Sequence, residues 1–534
     1  MVSKPLRIAL LLLTFPGVAR GQEATHEHAH AGLGAVHFPN SGAAAAQPPF
    51  LRGLALLHSF EYQDAGAAFR EAQQADPSFA MPYWGEALTF SQPLWGMEQL
   101  DSARAVLRRL GPTAETRVAR ARTARERAYG AAVEAFFADT TMPVRARGFA
   151  DSLRALAARE PDDQDAAAFA ALALLILANN DPALRGVPSR PLYAEAIVLG
   201  ERVFEVNPQH PGATHYLIHA YDRPGFAERG LRFARAYAEV APDAEHALHM
   251  PSHIFVQLGL WSDVAASNER SWAASRAWVA RQGRPAADLD FHSLAWLQYA
   301  YLQQGRWQAA RALIDTAEAV LAGADLAIGY PDARFALTAL PFAYASETGR
   351  WTDPAAARLA VPANPSPDAS PDASPRERVF LSVMAHQARI AAIHRGDSAS
   401  APLADQPATF QTRQLQGVAA RARGDLAAAV AYLTEAAALE AVRGEPIGPP
   451  LYPPSAELLG GVLLEAGRPA EAARAFERVL ASRRGRAASL LGLARAQAAR
   501  GDPAAAATYR RLAENWVNAD GDIPVLAEVR AAAR

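Results

Sequence analysis

The chain has 534 residues, with 53 Lys and Arg against 55 Asp and Glu, and no cysteine. That length accommodates one large core or several smaller ones, and the balanced charge argues against a nucleic-acid surface. Without cysteine, disulfides, thiolate metal sites and cysteine nucleophiles are all excluded.

Residues 1–21 read as a secretory signal: Lys4 and Arg7 form the basic end, Ile8 to Phe15 a short apolar core, and Ala19-Arg20-Gly21 the small-residue cleavage pattern. The expected location is periplasmic or extracellular. The apolar run is far shorter than the ~20 residues of a membrane span, and no later stretch is long enough either. Residues 22–47 read as a disordered tail. It carries His26, His28 and His30, an alternation that collects transition metals weakly or serves as an inert linker.

From residue 48 the pattern is almost entirely helical, because alanine is abundant and apolar residues recur three and four apart. Small and large residues also repeat at fixed offsets. Gly53, Ala65, Phe69, Ala72 and Pro77 form one set, and Tyr301, Gly305, Trp307, Ala310 and Ala317 another. Two more follow: Gly417, Gly424, Ala429, Leu433 and Ala436, then Gly460, Gly467, Ala472, Phe476 and Val479. Small residues let paired helices approach, and the large one fills the gap between units, so neighbours must stack to bury their faces. Residues 361–377 are too rich in Pro and Ser to pack. They divide the helical chain into expected arrays at 48–360 and 378–534.

Six of the 14 histidines fall between His210 and Phe255. His215 and His219 are four apart and Asp222 follows three later, so the three share a helical face. His246, His249 and His253 share a face if helix runs through them, although Pro251 removes a backbone donor between the last two. An amphipathic run separates the sets, giving helix, helix, helix with imidazoles on the first and third. Two histidines at i and i+4 form a helical clamp for Zn, Cu, Fe or Ni. Asp222 serves as a ligand or as an acceptor that fixes an imidazole tautomer. The plain alternative is a set of core histidines, each hydrogen-bonded to a neighbour. No HEXXH pattern, phosphate-binding loop or dinucleotide fingerprint accompanies them.

The offsets resemble those of the tetratricopeptide-repeat superfamily, whose period is ~34 residues with two helices per unit. The resemblance implies an all-α solenoid of helical hairpins whose groove binds a peptide, protein or small ligand. The blocks GLALLHSFEYQDAGAAF, MPYWGEAL, HPGATHYLIHAYD and HALHMPSHIFVQLGLW look like those of a group of exported bacterial proteins of this type with no settled activity. In that group's pattern one cysteine follows the early His-Phe-x-x-Ser and another lies near Asp-Pro-x-x-Ala-Met. Here those places hold Gly42 and Ser78-Phe79, so a disulfide pinning the N-terminal segment is missing. The superfamily's register aims His215, His219, His246, His249 and His253 into the groove, and adds His58, His292 and Tyr299 as groove residues.

Three functional readings follow. The leading one is an interaction protein whose groove holds one transition metal, with His215, His219, His249 and His253 converging and His246 or Asp222 completing the shell. A metal-dependent enzyme, hydrolytic or oxidative, is the second. A metal-free protein-binding scaffold is the third.

Overall fold

The structure is a computed structural model that describes residues 28–30, 32–184, 189–324, 326, 331–357, 375–396, 407–443 and 448–534. It is all-α among these residues apart from two short antiparallel pairs, His28–His30 with Gly34–Val36 and Ser91–Gln92 with Met97–Glu98. No described helix is long and apolar enough to cross a membrane. The expected signal, residues 1–21, lies outside the described residues.

Consecutive helices pair as hairpins, and the expected small-large packing is present at both ends of the chain. The Phe69 ring lies where side chains on Gly53 and Gly85 would begin; a Cβ at either would come within 2.9 Å and 2.6 Å of it. Phe476 sits the same way between Gly460 and Gly492, with corresponding approaches of 2.7 Å and 2.2 Å. In each case an aromatic ring from the second helix of a hairpin fills the space that two glycines leave, one on its partner and one on the next unit.

The segment expected to be a disordered tail is ordered from Gly32 onward, which corrects the boundary at residue 47. Its apolar side chains Leu33, Val36 and Phe38 are buried, and its backbone bonds to distant elements: Ala35 N–H donates to the Gln209 carbonyl and Asp243 N–H to the Gly32 carbonyl. Ser41 donates from both backbone and hydroxyl to Glu126. The Phe79 ring packs so closely on Gly42 that a Cβ there would come within 2.6 Å. An apolar contact thus joins the two places at which the resemblance expects cysteines.

The two expected arrays share one core cluster. Arg486 bonds Glu347 and Tyr299, Trp516 Nε1–H donates to the Gln303 carbonyl, and Trp261 Nε1–H donates to the Gly485 carbonyl. At the other end, helix Gln47–His58 packs on helix Pro211–Tyr221. The region from Pro211 to Gln303 is therefore held by both ends of the chain. Positions 361–374 of the expected linker lie outside the described residues, while Pro375 to Glu377 open helix Pro375–His394. Proline is compatible with a first helical turn.

Candidate functional site

The stretch from His210 to Tyr221 folds as its residues dictate. His210 caps the helix, its Nδ1 accepting from Ala213 N–H at 3.2 Å, and Pro211 occupies the first turn. Gly212 lies against the His58 ring, where a Cβ would come within 2.3 Å of Nδ1. This close approach lets the helix settle on Gln47–His58. The second histidine set is carried by Glu245–His249 and Pro251–Leu258. Met250 between them keeps helical dihedrals, φ −53° and ψ −35°, so the face continues past the donor lost at Pro251.

The imidazoles form two triads rather than the single group expected. In the first, His215 Nε2 lies 3.1 Å from His219 Nε2 and 3.2 Å from His246 Nε2. In the second, His249 Nε2 lies 3.1 Å from His253 Nε2, and His292 completes the group. Ligand atoms within each triad all lie within 4.8 Å of one another. Each i,i+4 pair thus gains its third ring from the first helix of the next unit: His246 joins His215 and His219, and His292 joins His249 and His253. The two triads are neighbours, with ring centroids 6.4 Å apart for His219–His253 and 6.3 Å for His246–His249.

Outer contacts fix ring orientation. His215 Nδ1–H donates to the His58 carbonyl at 2.7 Å. His249 Nδ1 bonds Asn268 Oδ1 at 2.7 Å, and Asn268 Nδ2 donates to the Val264 carbonyl, which settles which way its amide points. Asp222 is not among the residues of either triad. Its carboxylate faces His253 Nδ1 at 2.8 Å and accepts from Gln257, so of its two expected roles the structure presents the orienting one.

His58 and Tyr299 lie apart from the triads. The His58 ring bonds Asp165 Oδ1 at 2.9 Å and Tyr216 Oη at 3.0 Å, with His210 3.4 Å from the same carboxylate oxygen. His58, Asp165 and His210 are fully buried. Tyr299 is buried against Trp261 and bonds Arg486 at 3.0 Å. Their helical register was read correctly enough to place them on first helices, yet it does not fix how those helices are rotated about one another.

Phe60 escapes the sequence reading, which takes Trp95 and Trp296 mostly as repeat packing, with some of these aromatics lining the groove near the histidines. Phe60 packs on His215 at 4.3 Å and on His246 at 5.6 Å, and is the one non-glycine among the described residues with positive φ, 59°. Trp95, on the Ser91–Glu98 turn, meets His246 edge-on at 5.2 Å. Trp296 lies 4.5 Å from His253. Their only signal was aromatic clustering near a histidine-rich stretch, which repeat packing explains equally well. Phe60 and Trp95 thus flank the first triad, whose His219 and His246 are half-buried, whereas His292 leaves the second exposed on one side.

Burial dominates the electrostatics. It pushes His219 and His253 down to about 3, and lowers His215, His246 and His249 well below the ordinary histidine range, with neighbouring imidazoles adding to the effect. Asp222 is raised to about 7 by the same desolvation, as is Glu61, whose carboxylate accepts from His246 N–H. Away from the triads, burial lowers His58 and His386 to about 4. These histidines stay neutral in the fold at pH values where the unfolded chain protonates them. The histidine contribution to the stability of the metal-free protein is therefore expected to be full above about pH 6.5 and to be lost as pH falls toward 4, at roughly 1.4 kcal/mol per pH unit for each such group, outnumbering the opposite contribution of Asp222 and Glu61 over the same range. Urea midpoints at pH 7 and pH 5 measure this. Equal midpoints would contradict the burial of neutral imidazoles.

Residues 463–511 match the family model of the tetratricopeptide repeat. A search of curated proteins returns no match. Among solved structures, the chain is similar to the TPR domain of P58(IPK), at 14% identity over 86% of this chain and 99% of that one, with a TM-score of 0.22. It is also similar to the human IFIT1 dimer with PPP-AAAA (12%, 75% and 91%, TM-score 0.31) and to Naa15/Naa10 bound to HypK-THB (12%, 91% and 73%, TM-score 0.23). With the repeat matched over 463–511 and glycine-aromatic-glycine packing shared by both ends, the chain is an all-α solenoid of tetratricopeptide-like hairpins.

Proposed function

We propose that this protein is an interaction solenoid that carries a histidine-based transition-metal centre, one ion in each imidazole triad, beside a surface for a peptide or small ligand. The observation that carries the metal is a proton count at His215. Its Nδ1 faces a carbonyl, which only accepts, so in the neutral ring Nδ1 holds the proton and Nε2 presents a lone pair. That single lone pair faces two other Nε2 atoms at 3.1 Å and 3.2 Å. It can accept one proton, so at least one close nitrogen pair has no hydrogen bond to justify it. A cation held by all three nitrogens resolves the contact. The separations are close to the ~3.3 Å between two nitrogens bound ~2.0–2.1 Å from a tetrahedral ion.

The ligand set suits Zn, Cu, Fe or Ni, and each triad leaves a coordination position unfilled by protein. That open position, with the exposed flank at His292, favours as a second reading a metal-dependent enzyme of hydrolytic or oxidative type. Metal analysis of untagged protein after dialysis is the deciding experiment, with about two ions per chain expected. Protein purified and reloaded with each of the four metals that still retains none would leave the metal-free scaffold as the function. Export is part of the same proposal and rests on residues 1–21. N-terminal sequencing should find a chain starting near Gln22, and native protein still beginning at Met1 would remove it.

A further inference from the structure

The two triads differ in how their rings are held. In the second, His249 Nδ1 faces Asn268 Oδ1 at 2.7 Å. Asn268 Nδ2 donates to the Val264 carbonyl at 2.7 Å, so the amide oxygen is the atom turned toward His249, and it can only accept. His253 Nδ1 faces one oxygen of the Asp222 carboxylate at 2.8 Å, and the other oxygen accepts from Gln257 at 2.7 Å. A carboxylate also only accepts. Both neutral rings therefore carry their proton on Nδ1, and both Nε2 atoms present lone pairs, 3.1 Å apart. Neither ring can shift its proton to Nε2 without setting an imidazole lone pair against an acceptor.

In the first triad only His215 is held this way, by the His58 carbonyl. Among the described residues the His219 and His246 rings have no hydrogen-bond partner other than His215, so their tautomers are free to change. Before an ion arrives, one of them can turn an Nε2–H toward the His215 lone pair, and binding must then displace that proton. The second triad has two of its three ligands already locked with lone pairs turned inward. Asn268 is itself fully buried on helix Trp261–Gln282, which fixes it by packing as well as by its bond to Val264. Loss of an outer partner of this kind typically costs about ten- to a hundredfold in metal affinity.

Resting on the metal-centre reading, we propose that the triads are unequal: the second is the primary metal site and fills first, with Asn268 as a positioning residue that holds His249 in its ligating form, and the first is a secondary site of lower affinity.

The test titrates the full chain, untagged and stripped with chelator, with Zn(II) in a calorimeter. Two steps of about one ion each are expected, the first about tenfold tighter or more. His292→Ala, at an exposed ring, should lose the tight step and keep the weak one, and His215→Asn should do the reverse. Asn268→Leu should weaken the tight step about ten- to a hundredfold and leave the weak step as it was, while Asn268→Asp, which keeps an oxygen toward His249, should restore it. Two ions bound with equal affinity, a tight step that survives His292→Ala, or a folded Asn268→Leu protein that binds as the parent does would overturn the proposal and leave the metal centre standing. If Asn268→Leu does not fold, the His292→Ala and His215→Asn titrations still decide the order of filling. A chain that takes up no transition metal at all would instead remove the metal-centre reading, and this inference with it.

Discussion

His215→Asn is expected to empty the first triad while leaving the fold intact. His215 is the one ring whose Nε2 meets two others, and its Nδ1–H is anchored on the His58 carbonyl. Asparagine places an amide N–H near the Nδ1 position, so it can keep the bond to His58 while supplying no nitrogen where Nε2 was. Metal content should fall from about two ions per chain to about one, since three-nitrogen coordination is lost at one site only. The rise in thermal midpoint on adding metal should shrink accordingly. An ion bound only by the folded state stabilises it by about 2.7 kcal/mol at a hundredfold excess over its Kd, and one of the two contributions disappears. Full metal content in a folded His215→Asn protein would show that the first triad is not a site. His215→Ala loses the bond to His58 as well and should be less stable than His215→Asn.

The second large effect is structural. Arg486 is 1% exposed and joins elements from both halves of the sequence. Its guanidinium donates to both oxygens of Glu457 at 2.7 Å and 2.8 Å, to Glu347 at 2.7 Å and to Tyr299 at 3.0 Å. The carboxylates beside it hold its charge, raising its pKa further above the arginine range against the opposing cost of burial. Arg486→Met leaves two nearly buried carboxylates without their partner, a loss of about 3–5 kcal/mol for networks of this kind. The unfolding free energy from urea titration should fall by that amount, and amide exchange should accelerate first in Ser455–Glu465 and Ala487–Ala499, the helices that Arg486 ties to the middle of the chain. Adding Glu457→Gln should recover part of the loss by removing one orphaned charge. An unchanged midpoint would mean the network contributes specificity of packing rather than stability. The exposed pair Arg468–Glu471 serves as control, because solvent screening leaves such surface pairs with little effect.

Both predictions turn on contacts between residues far apart in the chain, and the sequence alone was silent about most of them. It did determine the local content. Alanine-rich 3.6-residue periodicity made the fold helical, and the glycine-aromatic offsets at Gly53/Phe69 and Gly460/Phe476 announced helices that approach closely around a ring. The spacing of four made His215 with His219, and His249 with His253, clamps on single helical faces, because a helix fixes the relation between i and i+4 wherever it sits.

Tertiary structure decided which clamp meets what. A register aims a side chain away from its own helix axis, but the rotation and offset between neighbouring helices come from packing. The expectation that both clamps meet at one ion therefore gave way to two triads, each completed by the next first helix through His246 or His292. For the same reason Asp222 came to face the Nδ1 side of His253, and His58 and Tyr299 turned into separate buried networks. The N-terminal segment from Gly32 was misjudged for a related cause. Leu33, Val36 and Phe38 show no periodicity of their own, and they are ordered only because a surface built from residues as distant as Gln209 and Asp243 is there to receive them. Periodicity records what a segment does to its neighbours in sequence. What brings the two triads together is the stacking of neighbouring units, and what anchors them at either end is contact with residues more than a hundred positions away, such as His58 against His215.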